Sequence, residues 1–110
     1  MGRQQGGETE RQRRMAAALD ALVPLCPAYD RDEIAGHART APGLGKAAPE
    51  TAVWLSLVAH IRHVYTDYED LLADGYGIEA ARHFCRATIN RVLTDWGCRR
   101  QVSGEEPDEE

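Results

Sequence analysis

Two histidines stand one helical turn apart in residues 59–72, and they are the side chains of this sequence best suited to chemistry. If this stretch is helical, His60 and His63 could present two imidazoles to one metal ion or one phosphate. A zinc site needs three or four ligands, and His37, His83 and the acids show no matching spacing. Three interpretations stay open: structural or solvated histidines, which we favour, an anion-binding or catalytic site, and a metal site, which we do not expect.

Arg62 and Tyr68 are the other candidate side chains of the same stretch. On a helical wheel Arg62 lies on the far edge of the helix from His60, so a salt bridge within the fold is favoured over a shared ligand. Tyr68 could be a core aromatic with its hydroxyl at the rim, or a proton donor. We favour the core role.

The stretch GLGK, which ends at Lys46, invites comparison with a phosphate-binding loop. The Walker pattern would need Gly at Thr40 and Ser or Thr at Ala47, and no strand precedes the loop, so a Walker nucleotide site is excluded. A Gly-rich loop that leads into a helix N-terminus can still bind an anion through its backbone N–H groups. A simple connection between helices is the alternative.

A basic stripe is predicted on the last helix, where Arg82, Arg86 and Asn90 share one side. Such a stripe can contact phosphates, or it can be an ordinary solvated face. The same segment resembles a helix-turn-helix, but His83 and Cys85 stand where the turn glycine and capping serine belong. We therefore expect one unbroken helix.

The elements that must position these residues are helices, because no segment shows sustained two-residue alternation. The pattern predicts an all-α fold, a compact bundle of four to five helices with disordered ends. Trp54 and Trp96 stand at the centres of two apolar stripes and are expected to be buried. Capping boxes are expected at Asp30 with Glu33, and at Thr66 with Glu69. Helices are predicted at residues 9–22, 50–65, 66–75 and 78–96, together with a short helix that begins at about residue 30. The helix at 50–65 has the longest apolar face.

The charge and composition of the chain indicate how it divides into segments. The net charge of −5 comes from the last residues, since residues 1–104 carry thirteen basic and thirteen acidic side chains. We expect a disordered segment at 1–8, a single helical domain at 9–101 and a disordered acidic tail at 102–110. No apolar run could span a bilayer and the first residues do not form a signal peptide, so a cytoplasmic protein without membrane contact is expected. Three separated cysteines suggest neither zinc binding nor disulfides.

Residues 53–96 resemble the domain-of-unknown-function family 2293, a group of uncharacterised bacterial and fungal proteins. The family pattern is close to AHxRHxxTxYDxLL, then a glycine turn, an AR pair and a final VLxxW. The matching residues are Ala59, His60, Arg62, His63, Thr66, Tyr68, Leu71, Leu72, Ala81, Arg82, Val92, Leu93 and Trp96, with Glu69 in place of the family's Asp. The loop after His37 matches more loosely through Gly43, Gly45 and Lys46. The resemblance implies no activity, because none is assigned to the family.

The sequence therefore predicts a small helical binding module rather than an enzyme. The preferred partner is nucleic acid or another polyanion. A protein-interaction or self-association domain is the alternative, and an enzyme using His60 or His63 comes third. No cofactor or metal is expected. The candidate binding residues are His37, Lys46, His60, Arg62, His63, Tyr68, Arg82 and Arg86.

Overall fold

The computed structural model describes residues 9–104, and every regular element in them is a helix. The predicted all-α class is confirmed. The predicted disordered segment at 1–8 and the end of the predicted tail lie outside the described residues. Within residues 9–104 no helix has the length and apolarity to cross a membrane. The elements are α1 (Glu10–Leu22), α2 (Ala28–Thr40), α3 (Pro49–Tyr65), α4 (Tyr68–Ala73) and α5 (Ile78–Asp95), with a short 3₁₀ helix (Pro42–Leu44) between α2 and α3.

Helix α3 lies at the centre of the bundle and packs against α1, α2 and α5. It begins at Pro49, whose fixed φ suits the first helical turn. Its buried apolar residues recur at helical spacing and include Val53, Leu57 and Ile61, each fully buried. The predicted bounds of this helix are confirmed to within one residue.

Both tryptophans are buried, as predicted: Trp54 is 2% exposed and Trp96 8%. The ring of Trp96 meets the ring of Tyr65 edge to face, with centroids 5.6 Å apart, which joins the ends of α5 and α3. Gly97, at φ +85°, then takes the chain out of the helix in a backbone conformation that favours glycine.

The two predicted capping boxes are wrong. Helix α2 already begins at Ala28 after Pro27, so Asp30 falls inside the first turn with its side chain buried. At the start of α4 the Thr66 hydroxyl accepts from the N–H of Tyr68 and donates to the carbonyl of Arg62. Glu69 bonds to His63 instead of returning to Thr66.

Helix α5 is unbroken from Ile78 to Asp95, which agrees with the expectation of one continuous helix. Its buried stripe includes Ala81, Cys85 and Ile89, as predicted. Ile78 was expected in that stripe but is 53% exposed, because its side chain borders a surface cavity instead of the core.

Candidate anion-binding cleft

A cleft of about 380 Å³ opens where α2, α3, α4 and α5 meet, and we call it the polar cleft. Helix α3 supplies one wall through Ser56, His60 and His63, which recur at positions i, i+4 and i+7 and so share one side of the helix. The other walls come from two residues each of α2, α4 and α5. The full lining is Glu33, His37, Ser56, Ala59, His60, Arg62, His63, Tyr68, Glu69, Ile78 and Arg82.

A second cavity of about 740 Å³ adjoins the polar cleft, and we call it the arginine groove. Arg62, Ile78 and Arg82 border both cavities, so the two lie side by side on the surface. The lining of the arginine groove is Arg62, Ile78, Glu79, Arg82, His83, Arg86, Ile89, Val102 and Gly104.

His60 is held by a buried carboxylate from α2. Its Nε2 lies 2.7 Å from Oδ1 of Asp30, and the hydroxyl of Tyr65 donates to the same carboxylate at 3.0 and 3.1 Å. A carboxylate only accepts hydrogen bonds, so Nε2 of His60 carries the proton in this pair. The ring of His60 is thereby fixed at the floor of the cleft.

The same carboxylate affects two neighbouring groups. Burial first, and then the hydrogen bond to Asp30, raise the pKa of the Tyr65 phenol above its usual value. Burial, with a smaller contribution from the charge of Asp30, raises the pKa of the Cys26 thiol to about 11. Both groups are therefore neutral at physiological pH.

His37 reaches across from α2 to α3, where its Nδ1 lies 2.9 Å from Oγ of Ser56. A serine next to a histidine can act as a nucleophile with its base. Ser56, however, is fully buried beneath the surface of the cleft, with its Oγ next to Nδ1 of His37. The pair fixes the orientation of the His37 ring at the mouth of the cleft.

His63 and Arg62 meet α4. Nδ1 of His63 lies 2.9 Å from a carboxylate oxygen of Glu69, and both side chains are largely exposed. The guanidinium of Arg62 lies over the ring of Tyr68, 5.4 Å from its centroid, in a cation–π arrangement. Tyr68 is half-buried and packs against the core, the role favoured for it from sequence.

The positive charge is concentrated in the arginine groove. Among the residues that the structure describes, Arg62, Arg82 and Arg86 border it, against one acid, Glu79, and a guanidinium is charged at physiological pH. In the polar cleft two acids, Glu33 and Glu69, offset the cations. Across residues 9–104 no group of three or more His, Cys, Asp or Glu side chains could hold a metal ion.

Seven of the eight residues predicted from sequence border these two cavities, and Lys46 does not. Lys46 is exposed on the loop before α3. In that loop the carbonyls of Leu44 and Ala47 accept hydrogen bonds from the guanidinium of Arg11, at 2.9 and 2.7 Å. The loop is thus fastened to α1, away from the cleft.

Sequence reasoning missed Asp30, Ser56 and His83 as members of this region. Ser56 carried a usable signal, because a polar residue in the apolar stretch of α3, four residues before His60, needs a partner when buried. Asp30 was assigned to a helix cap, which its spacing equally allowed. Nothing in the sequence marks His83 as a site residue except its position next to Arg82.

The fold and the site define a small all-α domain with a positively charged groove beside a histidine-lined cleft. The chain belongs to the DUF2293 family, described as an uncharacterized conserved protein, whose model matches residues 18–97. The resemblance found in residues 53–96 is thereby confirmed, and the match extends back into α1. Neither the curated proteins nor the solved structures contain a match to the chain.

Proposed function

We propose that this domain is a binding module for nucleic acid, which it contacts through the phosphate backbone. The observation that carries the proposal is the grouping of Arg62, Arg82 and Arg86 along one groove. Guanidinium groups bind phosphate oxygens through several N–H donors at once. Contacts of this kind give affinity without sequence preference.

The shape of the site favours a repeated anion over a single phosphate. Arg82 and Arg86 are four residues apart on α5, which separates them by about 6 Å along the helix axis. The polar cleft lies beside the groove and shares Arg62 and Arg82 with it. A chain of phosphates could contact successive guanidinium groups along these two cavities.

Fluorescence anisotropy with short single- and double-stranded oligonucleotides tests the proposal. If three phosphates are neutralised, the association constant should fall about 20- to 40-fold between 50 and 200 mM salt. The double substitution Arg82→Gln with Arg86→Gln should weaken binding and reduce the slope of log K against log salt by about 2.

A matched control removes the same net charge elsewhere. Lys46→Gln with Arg91→Gln changes two exposed side chains that border neither cavity. This variant should keep most of the affinity and the salt slope, and circular dichroism should show that both variants are folded. Failure of both oligonucleotide forms to bind, or equal losses in both variants, would contradict the proposal.

An exposed aromatic pair near the start of α5 supports a second candidate, a protein-interaction surface. Tyr76 and Phe84 are 46% and 59% exposed, and their rings meet edge to face with centroids 5.6 Å apart. Exposed aromatic residues are enriched at protein interfaces. Sedimentation velocity of the full chain and a Phe84→Ser variant would detect self-association through this pair.

A further inference from the structure

Residues 98–104 turn back along α5 after the helix ends. The side-chain amide of Asn90 pairs with the backbone of Val102, accepting from its N–H at 2.7 Å and donating to its carbonyl at 3.3 Å. The guanidinium of Arg100 lies over the ring of Trp54, 3.9 Å from its centroid. These two contacts fix the path of the segment across the bundle.

The segment runs towards the arginine groove. Val102 lies beside Asn90, and two residues later Gly104 lies so close to the guanidinium of Arg86 that any side chain at this position would collide with it. Gly104, where the backbone bends at φ +97°, borders the arginine groove and is the last residue that the structure describes.

The residues that follow are almost all acidic. Residues 105–110 read EEPDEE, with five carboxylates. They follow directly on Gly104, which borders the arginine groove together with Arg82 and Arg86. The charge of this segment is opposite to that of the groove into which the chain has already been directed.

We infer that the acidic segment 105–110 occupies the arginine groove of its own chain and competes there with an external polyanion. This inference rests on the nucleic-acid function proposed above only for the identity of the competitor. Because the segment is joined to the groove by a short, anchored stretch, its effective local concentration is high. An external ligand must displace it before contacting Arg82 and Arg86.

Nuclear magnetic resonance tests the contact without any nucleic acid. The full ¹⁵N-labelled chain is compared with a full-length variant in which Glu105, Glu106, Asp108, Glu109 and Glu110 are replaced by their amides. The Nε–Hε signals of the groove arginines should differ between the two proteins at low salt and converge in 0.5 M salt. Unchanged arginine signals, with differences confined to residues near the substitutions, would overturn the inference.

Competition is measured by oligonucleotide anisotropy. Glu105→Gln with Glu106→Gln should raise the affinity about fivefold to tenfold at low salt, the effect of removing a few exposed ion pairs. The matched control, Asp32→Asn with Asp95→Asn, removes two exposed acids that border neither cavity and should change the affinity much less. Equal gains in both variants would contradict competition within the chain.

The two proposals fail in different ways. If the arginine signals respond to the acidic segment but no oligonucleotide binds either protein, the contact within the chain stands and the nucleic-acid function is wrong. If oligonucleotides bind but the arginine signals do not respond, the function stands and the inference is wrong.

Discussion

At the scale of single residues, the side chain with the largest structural consequence is Asp30. It is 5% exposed and accepts hydrogen bonds from His60 and Tyr65, which both belong to the last two turns of α3. A buried carboxylate is tolerated only when its oxygens are bonded in this way. Asp30 therefore ties α2 to α3 and fixes the histidine at the floor of the polar cleft.

Replacing Asp30 with Asn should lower the free energy of unfolding by about 1–3 kcal/mol. The amide keeps the shape of the carboxyl group, but its NH₂ cannot accept a hydrogen bond from the donors around it. Urea denaturation measures the loss.

The same substitution at Asp20 serves as the control. Asp20 pairs with Arg31 at 2.6 Å, but its side chain is 58% exposed, and an exposed pair contributes about 0.2–1 kcal/mol. Similar losses in Asp30→Asn and Asp20→Asn would show that the buried carboxylate has no special role.

At the scale of the elements, the ends of the helices are set by a few backbone positions. Gly97 at φ +85° ends α5, and a Cβ at this position would lie 3.1 Å from Cγ of Pro24. Gly36 lies in the interior of α2, where a Cβ would meet nothing within 4 Å. The two glycines therefore offer opposite outcomes for one substitution.

Gly97→Ala should lower the free energy of unfolding by about 1–2 kcal/mol, because L residues disfavour this backbone conformation and the new methyl group crowds Pro24. Gly36→Ala should raise it by about 0.5–1 kcal/mol through the better helix propensity of alanine. Thermal or urea denaturation of the two variants checks both signs. Stabilisation by Gly97→Ala would show that the turn after α5 is not under this constraint.

The helices could be predicted from sequence where local and long-range signals agree. In α3 a proline at the first turn and a long apolar stripe specify the same segment, and its bounds were found. The spacing of Asp30 in the sequence is compatible both with a helix cap and with a buried carboxylate, so spacing alone cannot show which one occurs. The hydrogen bond to His60, thirty residues away, holds Asp30 in the buried position.

The parts of the candidate site that lie on one face of a single helix could be predicted from sequence spacing. Arg82 and Arg86 share one side of α5 by spacing alone, but their meeting with Arg62 depends on how α5 packs against α3. Lys46 illustrates the opposite case. A Gly-rich loop gives no periodicity from which its direction can be read, and here Arg11 fastens it elsewhere.

At the scale of the whole molecule, the described chain continues to pack beyond the last helix. Cys98 is 6% exposed, and Val102, one residue past the expected end of the domain, packs against the core. Residues 98–104 thus serve both as a cover for the core and as the path to the arginine groove. Residues 105–110, by contrast, are five acids and one proline, with little apolar side chain with which to bury surface.

Two truncations should therefore differ in stability. In 0.5 M salt the Debye length is about 4 Å and exposed ion pairs are largely screened, so removing residues 105–110 should change the thermal midpoint by no more than about 1 °C. Removing residues 98–110 also takes away the burial of Cys98 and Val102, a loss of about 2 kcal/mol, and should lower the midpoint by about 10 °C. Differential scanning calorimetry of the two truncated proteins and the full chain measures both shifts. Equal midpoints for the two truncations would show that residues 98–104 do not stabilise the bundle, and that the path assigned to them along α5 is wrong.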